Sequence, residues 1–205
     1  LMNHGESEAG DIEVIQRDTV FQGFYRLDRV RLKHRHFDGS MGPEISRELF
    51  VRPHAVGVLV IDPETSELLL IEQFRVGAMA DKYPWQIEVV AGLVEPGESL
   101  EAVAIRETVE EAGVAISELE KVFEFMPSAG GSDERFTLFV APANLSRAGG
   151  VHGLAEEGEN IRVTVVSLNQ ALQWLAQGRI NNAPCMLAVQ WYAANRDRLK
   201  KKWGK

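Results

Sequence analysis

The sequence predicts an α/β (α+β) protein, with a small antiparallel sheet followed by a central mixed sheet that carries helices on both faces. Short apolar runs bounded by Gly, Pro, Asn and Asp recur along the chain and favour strands. Helical periodicity is found in three later segments. The 205 residues are 45% hydrophobic and 25% charged, which is ordinary globular composition. A fibrous or disordered chain is therefore excluded.

Residues 1–52 are predicted to form the small sheet as a separate unit. Strand patterns cover 11–17, 21–32 and 47–51, and Gly23, Gly39, Gly42 and Pro43 lie between them. Three short strands with turn residues between them favour antiparallel pairing.

Residues 53–205 are predicted to form the larger unit with the mixed sheet. Its strand patterns are 55–61, 67–72, 86–94, 121–126, 137–141 and 161–166. Its helices are predicted at 99–112, 169–177 and 184–202. Ser99 is a suitable N-cap for the first helix, and Gly113 is suited to end it.

Charge and cysteine content narrow the function. With 22 basic and 30 acidic residues the formal net charge is −8, which argues against a protein that coats nucleic acid. The longest apolar run, 55–61, is too short for a membrane span, and no secretion signal is expected. The single Cys185 and the 5 scattered His suit a reducing cytoplasm and do not suggest a zinc site.

The helix at 99–112 carries three acids on one face. A helical wheel puts them roughly opposite an apolar stripe of Ala102, Ile105, Val109 and Ala112; the acids are Glu107, Glu110 and Glu111. Like charges three and four residues apart repel each other, so the cluster favours a hard cation such as Mg²⁺ or Mn²⁺ and a phosphate-bearing substrate. The alternative is a solvated acidic face paired with Arg106.

The spacing around this helix is specific. Gly92 is followed by five residues, Glu98, seven residues, Arg106-Glu107, two residues, Glu110-Glu111, one residue and Gly113. Seven specified residues at fixed offsets would occur by chance in about one in a million chains of this length. The stretch resembles the signature of the Nudix hydrolases. Thr108 departs from it, since the family has an aliphatic residue there, and we expect a small effect on packing alone.

The resemblance implies a Nudix-type α/β/α sandwich that hydrolyses a nucleoside diphosphate linked to another group. Divalent cations, Mg²⁺ or Mn²⁺, would be held by the Ala91 carbonyl and by Glu107, Glu110 and Glu111. Arg106 would orient these carboxylates, and Gly92 and Gly113 would have backbone roles. Glu98 would provide a salt bridge and cap, or else be an exposed acid in the first turn of the helix.

Segments 70–75, 128–135 and 153–160 also resemble the ADP-ribose pyrophosphatases of that family. This implies hydrolysis of ADP-ribose to AMP and ribose 5-phosphate by a homodimer that uses its N-terminal sheet. Another sugar nucleotide such as GDP-mannose, or a sensor that binds ADP-ribose without cleaving it, remains open as an alternative. An intact set of box carboxylates favours the enzyme over the sensor.

The same resemblance implies roles for individual loop residues. Glu157 would be the general base, with Glu134 as a second candidate and Glu159 as a further metal-associated acid; Glu111 would be catalytic through the metal. The alternative for Glu157 and Glu159 is an ordinary acidic surface loop.

The resemblance to the ADP-ribose pyrophosphatases also implies which residues contact the substrate. Arg47 and Arg75 would bind the diphosphate or terminal ribose, or form surface ion pairs with Glu48 and Glu72. Phe24 would stack on adenine or belong to the core. Leu93, Ser128 and Glu134 are further substrate contacts, and Ala129, where the subfamily has proline, keeps the choice of sugar nucleotide open.

Overall fold

The computed structural model describes residues 10–204, apart from the side chain of Glu157. The chain separates into two compact units. One unit contains the chain up to Arg52 together with residues 128–134, and the other contains residues 53–127 and 135–205. Within the described residues, none of the helices combines the length and apolar character needed to cross a membrane.

The first unit is a three-stranded antiparallel sheet. Its strands, in the order β1-β2-β3, are β1 (Ile12–Gln22), β2 (Arg26–His34) and β3 (Ile45–Val51). The prediction that the first strand stops at residue 17 is wrong, because β1 continues through two register shifts to Gln22. Asp28 explains the continuation: this buried side chain on β2 accepts hydrogen bonds from Arg17 at 2.6 Å and Thr19 at 2.9 Å, across the break expected from the sequence.

The second unit is built on a mixed sheet, as predicted. Its strands run in the order β10-β11-β5-β4-β9-β8, with β6 paired to β5 and β7 paired to β4. The β4–β9 pair is parallel and the other pairs are antiparallel. The strands are β4 (Ala55–Asp62), β5 (Glu67–Phe74), β6 (Trp85–Glu88), β7 (Val90–Leu93), β8 (Glu120–Phe125), β9 (Phe136–Pro142), β10 (Gly150–His152) and β11 (Ile161–Ser167).

The single strand predicted at 86–94 is two strands. The chain leaves β5 after Glu88 and joins β4 at Val90, so β6 and β7 have different partners. Sequence periodicity cannot show this change of partner, because both halves are apolar. The short strand β10 was not predicted, since it has three residues and two of its neighbours are glycines.

Helices cover both faces of the sheet, as predicted. On one face, Leu68 and Leu70 of β5 belong to the core cluster that contains residues of α2 (Leu168–Ala176) and α3 (Ala183–Trp203). On the other face, Leu69 and Ile71 belong to the cluster that contains residues of α1 (Leu100–Ala112). Alternate residues of β5 therefore point to opposite layers, which decides where its last polar residues lie.

Helix α1 begins and ends where the sequence predicts. The Ser99 hydroxyl accepts a hydrogen bond from the Ala102 N–H, and Gly113 closes the helix in the left-handed region with φ 65°. The predicted apolar stripe is wrong for Ala102, Ile105 and Val109, which are exposed, Ile105 by 41% and Val109 by 49%. The buried side consists of Val103, Ala104, Thr108, Glu111 and Ala112. The helix thus turns a carboxylate toward the sheet and leaves aliphatic side chains in solvent.

Candidate active site

Glu111 is the most buried of the α1 carboxylates, with 3% of its surface exposed. It accepts a hydrogen bond from the Ala91 N–H at 2.9 Å and a longer one from the Gln73 amide at 3.4 Å. Burial raises the pKa of Glu111 to about 8, although the Ala91 N–H acts in the opposite direction, and the charge of Glu107 adds to the rise. Strand β7 therefore holds a carboxylate that is costly to ionise without a cation.

Glu107 lies directly against the backbone of β7. A Cβ atom on Gly92 would lie 2.0 Å from Glu107 Oε1, so only glycine allows this approach. Burial raises the pKa of Glu107 to about 7; Arg106 opposes the rise, and the charges of Glu110 and Glu159 add to it. Glu107 and Glu111 together form a pair of partly desolvated acids on the sheet side of α1.

Arg106 holds three acids of this region. Its guanidinium lies 2.8 Å from Glu107, 3.0 Å from Glu110 and 3.4 Å from Glu98. Burial opposes its charge, but the carboxylates, Glu107 foremost, outweigh burial and raise the pKa of Arg106 above its usual value. Glu98 also accepts a hydrogen bond from the Glu95 N–H at 3.1 Å, which lowers the pKa of Glu98. Glu98 thus closes the loop before α1 as well as pairing with Arg106.

The loop before β11 adds Glu159 as a fourth acid to the three of α1, which are Glu107, Glu110 and Glu111. Glu159 accepts a hydrogen bond from the Leu154 N–H at 3.0 Å, and its charge contributes to the raised pKa values of Glu107 and Glu111. Gly153 has φ +100°, and a Cβ there would lie 2.7 Å from that of Glu159. The backbone of Glu157 lies in the 3-10 turn Ala155–Glu157, but its side chain is outside the described residues. Its role as a base stays a prediction.

Two polar residues that the sequence analysis missed complete this region. Glu88 of β6 forms an ion pair with Arg75 at 2.8 Å and accepts a hydrogen bond from Gln73 at 3.2 Å. Arg75 does not pair with Glu72, which instead binds Arg162 and Arg179. Burial opposes the charge of Arg75, but Glu88, Glu111 and Glu159 outweigh it and raise its pKa. The sequence could have identified Gln73, because it is two residues after Ile71 on the face of β5 that points toward α1.

The remaining predicted residues occupy varied environments. Phe24 is 86% exposed and rests edge-on against Tyr25 at 4.7 Å between ring centres, so the alternative that it belongs to the core is wrong. Arg47 is exposed and donates a hydrogen bond to the Ser46 carbonyl. Ser128 is exposed, and its carbonyl accepts hydrogen bonds from two backbone N–H groups of its own loop.

Glu134 and Leu93 are more enclosed. Glu134 is 9% exposed and pairs with Arg52 at 3.0 Å; burial raises the pKa of Glu134 although Arg52 opposes this. Leu93, at the end of β7, is partly buried against the core cluster on the side of α2 and α3.

The donor set fits a hard divalent cation. The four acids offer only oxygen ligands, and burial with mutual repulsion leaves Glu107 and Glu111 short of positive charge. As the side chains stand, no group of three or more His, Cys, Asp or Glu within the described part of the chain is gathered closely enough to hold a metal. Glu107 and Glu110 are held by Arg106 instead, so metal binding would require their carboxylates to turn.

A mixed sheet between two layers of helices, with an arginine-bound row of acids on the first helix, agrees with the α/β/α sandwich that the sequence resemblance implied. A model described as the NUDIX domain matches residues 51–188. The chain belongs to the Nudix family.

Two relatives are similar in sequence to this chain, and one solved structure is similar in fold. The chain is 45% identical over 194 residues to the ADP-ribose pyrophosphatase of Escherichia coli strain K12, covering 94% of this chain and 93% of the relative. It is 31% identical over 183 residues to the GDP-mannose pyrophosphatase of Cronobacter sakazakii, covering 88% and 94%. A crystal structure of an ADP compounds hydrolase superposes with a TM-score of 0.66 at 19% identity, covering 93% of this chain and 98% of that one, and supports the fold.

Proposed function

We propose that this protein hydrolyses the diphosphate of ADP-ribose to AMP and ribose 5-phosphate with Mg²⁺, or with Mn²⁺. One observation carries the proposal: the acids of the Nudix signature are all present, and the two most buried of them, Glu107 and Glu111, have raised pKa values. A divalent cation would offset the burial and mutual repulsion that make these acids costly to ionise. The ADP-ribose substrate is supported by the relative at 45% identity, against 31% for the GDP-mannose relative.

The proposed metal ligands are the Ala91 carbonyl and the carboxylates of Glu107, Glu110, Glu111 and Glu159. Bound Mg²⁺ would neutralise charge on the diphosphate and lower the pKa of the attacking water. The chain itself orients these ligands. The Ala91 N–H binds one oxygen of Glu111, and Gly92 gives Glu107 its place against β7.

Arg106 is proposed as a positioning residue. It holds Glu107 and Glu110 through charge-assisted hydrogen bonds. When these carboxylates turn to a cation, Arg106 still has Glu98 as a partner. The arginine therefore limits how far the acids separate.

Glu157 is proposed to accept the proton of the attacking water, a role worth typically about 10² to 10⁴ in rate. Glu134 is the second candidate, but its carboxylate already binds Arg52. Arg75, fixed by Glu88, is proposed to bind the diphosphate or the terminal ribose, and Arg47 is proposed for the same kind of contact. Phe24, with its exposed ring, is proposed to stack on adenine, and Leu93, Ser128 and Glu134 to contact the substrate.

A homodimer formed through the N-terminal sheet is part of the proposal, as is a cytoplasmic location. Support for the dimer comes from strand β1, which is exposed along its whole length. Ile12, Val14 and Phe21 are 59%, 59% and 63% exposed on this edge strand. A long apolar edge strand is ordinarily covered by another element or another chain. Light scattering of the wild type should therefore give twice the mass of one chain.

Chromatographic analysis of the products tests the reaction. ADP-ribose with Mg²⁺ should yield AMP and ribose 5-phosphate, and neither EDTA-treated protein nor Glu111→Gln should form them at an appreciable rate. Glu101→Gln, which neutralises an exposed acid of the same helix, is the matched control and should keep full activity. Faster cleavage of GDP-mannose than of ADP-ribose would show that GDP-mannose is the preferred substrate. Binding of ADP-ribose without cleavage would show that the protein is a sensor and not an enzyme.

A further inference from the structure

A second concave site lies in the larger unit, on the face of the sheet opposite the carboxylates. It has a volume of about 540 Å³, within the range of small-molecule sites. Its charged and aromatic lining residues are Glu72, Lys82, Tyr83, Trp85, Arg162 and Arg179. None of the Nudix signature residues lines it.

Strand alternation explains why the two sites are separate. Gln73 of β5 points toward α1 and binds Glu111, so the preceding residue, Glu72, points toward the layer of α2 and α3. Arg162 lies opposite Glu72 on β11 and shares its face. The sheet itself therefore stands between the two groups of charges.

The site is cationic in an acidic protein. Three cations, Lys82, Arg162 and Arg179, line it against the single carboxylate of Glu72, whereas the whole chain has a net charge of −8. Electrostatic attraction for an anion is thus concentrated here although the protein as a whole repels anions.

The three cations differ in how many protein partners they have: Arg179 has several, whereas Arg162 and Lys82 keep N–H donors for a ligand. Arg179 is 20% exposed; it binds Glu72 and the Trp85 carbonyl at 2.9 Å, and its guanidinium lies 4.8 Å from the centre of the Tyr83 ring. Arg162 is 66% exposed and uses Nε and Nη2 on Glu72, which leaves Nη1 without an acceptor among the described residues. Lys82 is exposed and lies 5.0 Å from the Tyr83 ring, with no ion pair in the described part of the chain. A purely structural ion-pair network needs only Glu72 and its two arginines.

The walls offer a surface for a ring beside these cations. The Trp85 side chain is 57% exposed, and Val151 across the site is 64% exposed. Indole faces stack on bases and on sugar rings, and exposed apolar side chains of this size beside cations favour an amphiphilic anion.

We propose that this site binds a small organic phosphate, with the phosphate at Arg162 and Lys82 and the attached ring on Trp85. Guanidinium and ammonium groups are the usual protein partners of phosphate oxygens, and each such charge-assisted contact contributes about tenfold to affinity. The site is independent of the proposed hydrolysis, because none of its residues belongs to the carboxylate centre.

Tryptophan fluorescence titration in EDTA tests the site. Without added metal the carboxylate centre repels phosphate, and variants at the second site distinguish it from binding at the proposed substrate contacts Phe24, Arg47 and Arg75. The probes are AMP, ribose 5-phosphate and inorganic phosphate. We expect a saturable change for AMP or ribose 5-phosphate that Trp85→Phe abolishes, and weaker binding of inorganic phosphate, which has no ring.

Matched variants separate this site from binding elsewhere. Lys82→Ala with Arg162→Ala should weaken binding of the organic phosphate at least about tenfold. Arg147→Ala with Lys201→Ala removes two exposed cations outside the site and should leave binding unchanged. Lys82→Ala alone removes a surface side chain with no ion pair and serves if the double variant does not fold. Unchanged affinity in the folded Lys82 and Arg162 variants, or no saturable signal with any probe, would overturn the proposal.

Discussion

Replacing Glu111 by glutamine should stabilise the metal-free protein at neutral pH while it destroys turnover. The pKa of Glu111 is about 8 in the folded chain against 4.5 for the ordinary side chain. A raised acid pKa means that stability is lost as pH rises from about 4.5 through 8, because the unfolded chain ionises this acid over that range while the folded chain keeps it protonated. Between pH 4.5 and pH 7 the cost is about 3 kcal/mol at 1.36 kcal/mol per pH unit. Glutamine avoids this cost but disturbs the bond from Gln73, which is worth about 1 kcal/mol, so the net gain is about 2 kcal/mol.

Thermal unfolding in EDTA measures this gain. For a chain of this size 2 kcal/mol corresponds to about 4–8 °C in Tm at pH 7, and the gain should vanish near pH 4.5. Glu101→Gln, on the exposed side of the same helix, should show no such pH-dependent gain. Added Mg²⁺ should raise the Tm of the wild type and leave that of Glu111→Gln nearly unchanged. A Tm difference between Glu111→Gln and wild type that stays constant from pH 4.5 to 8 would refute the reasoning.

Two further predictions follow from single contacts. Gly92→Ala should lower kcat about 100-fold while the fold survives, because its Cβ would lie 2.0 Å from Glu107 Oε1 and displace that carboxylate. Gly77→Ala is the control and should keep full activity, because its added Cβ meets nothing within 4 Å. Equal rates for the two variants would contradict this prediction. Glu120→Gln should lower the free energy of unfolding by about 1 kcal/mol at pH 7. The reason is that the hydrogen bond from Arg198, more than any other contact, lowers the pKa of Glu120 to about 2, while solvent screening reduces the effect on stability. Urea unfolding should show this difference above about pH 4.5 and its loss as pH falls toward 2; a difference that persists at pH 2 would contradict the assignment.

The sequence predicted the local parts of the site well. The start and end of α1, its capping residue Ser99 and the row of acids on it all depend on short-range spacing, and the structure places them as expected. The direction in which α1 faces was not predicted. The wheel gave Ile105 and Val109 to the core, because an apolar residue is ordinarily buried. Here the helix instead buries Glu111 and Thr108, whose hydroxyl donates to the Ala104 carbonyl at 2.7 Å.

Contacts between distant strands account for what the sequence could not show. Glu88 and Gln73 meet because β6 pairs with β5, and the pairing depends on a change of partner at Val89 that leaves no mark in composition. The loop from 128 to 134 joins the first unit although 75 residues of the second unit precede it. Arg52 shows the consequence, because its backbone N–H donates to Asp133 and its guanidinium pairs with Glu134.

Strand β5 shows how one local period can serve two chemistries. Its four leucine and isoleucine residues alternate between the two core layers, and the same alternation carries through to Glu72 and Gln73 at its end. A shift of one residue in the pairing of β5 would exchange their faces, placing the acid beside Glu111 and the amide among the cations. The buried aliphatic residues therefore fix the charge on both sides of the sheet, since the register that satisfies the core also gives Glu111 a neutral donor and Arg162 a carboxylate.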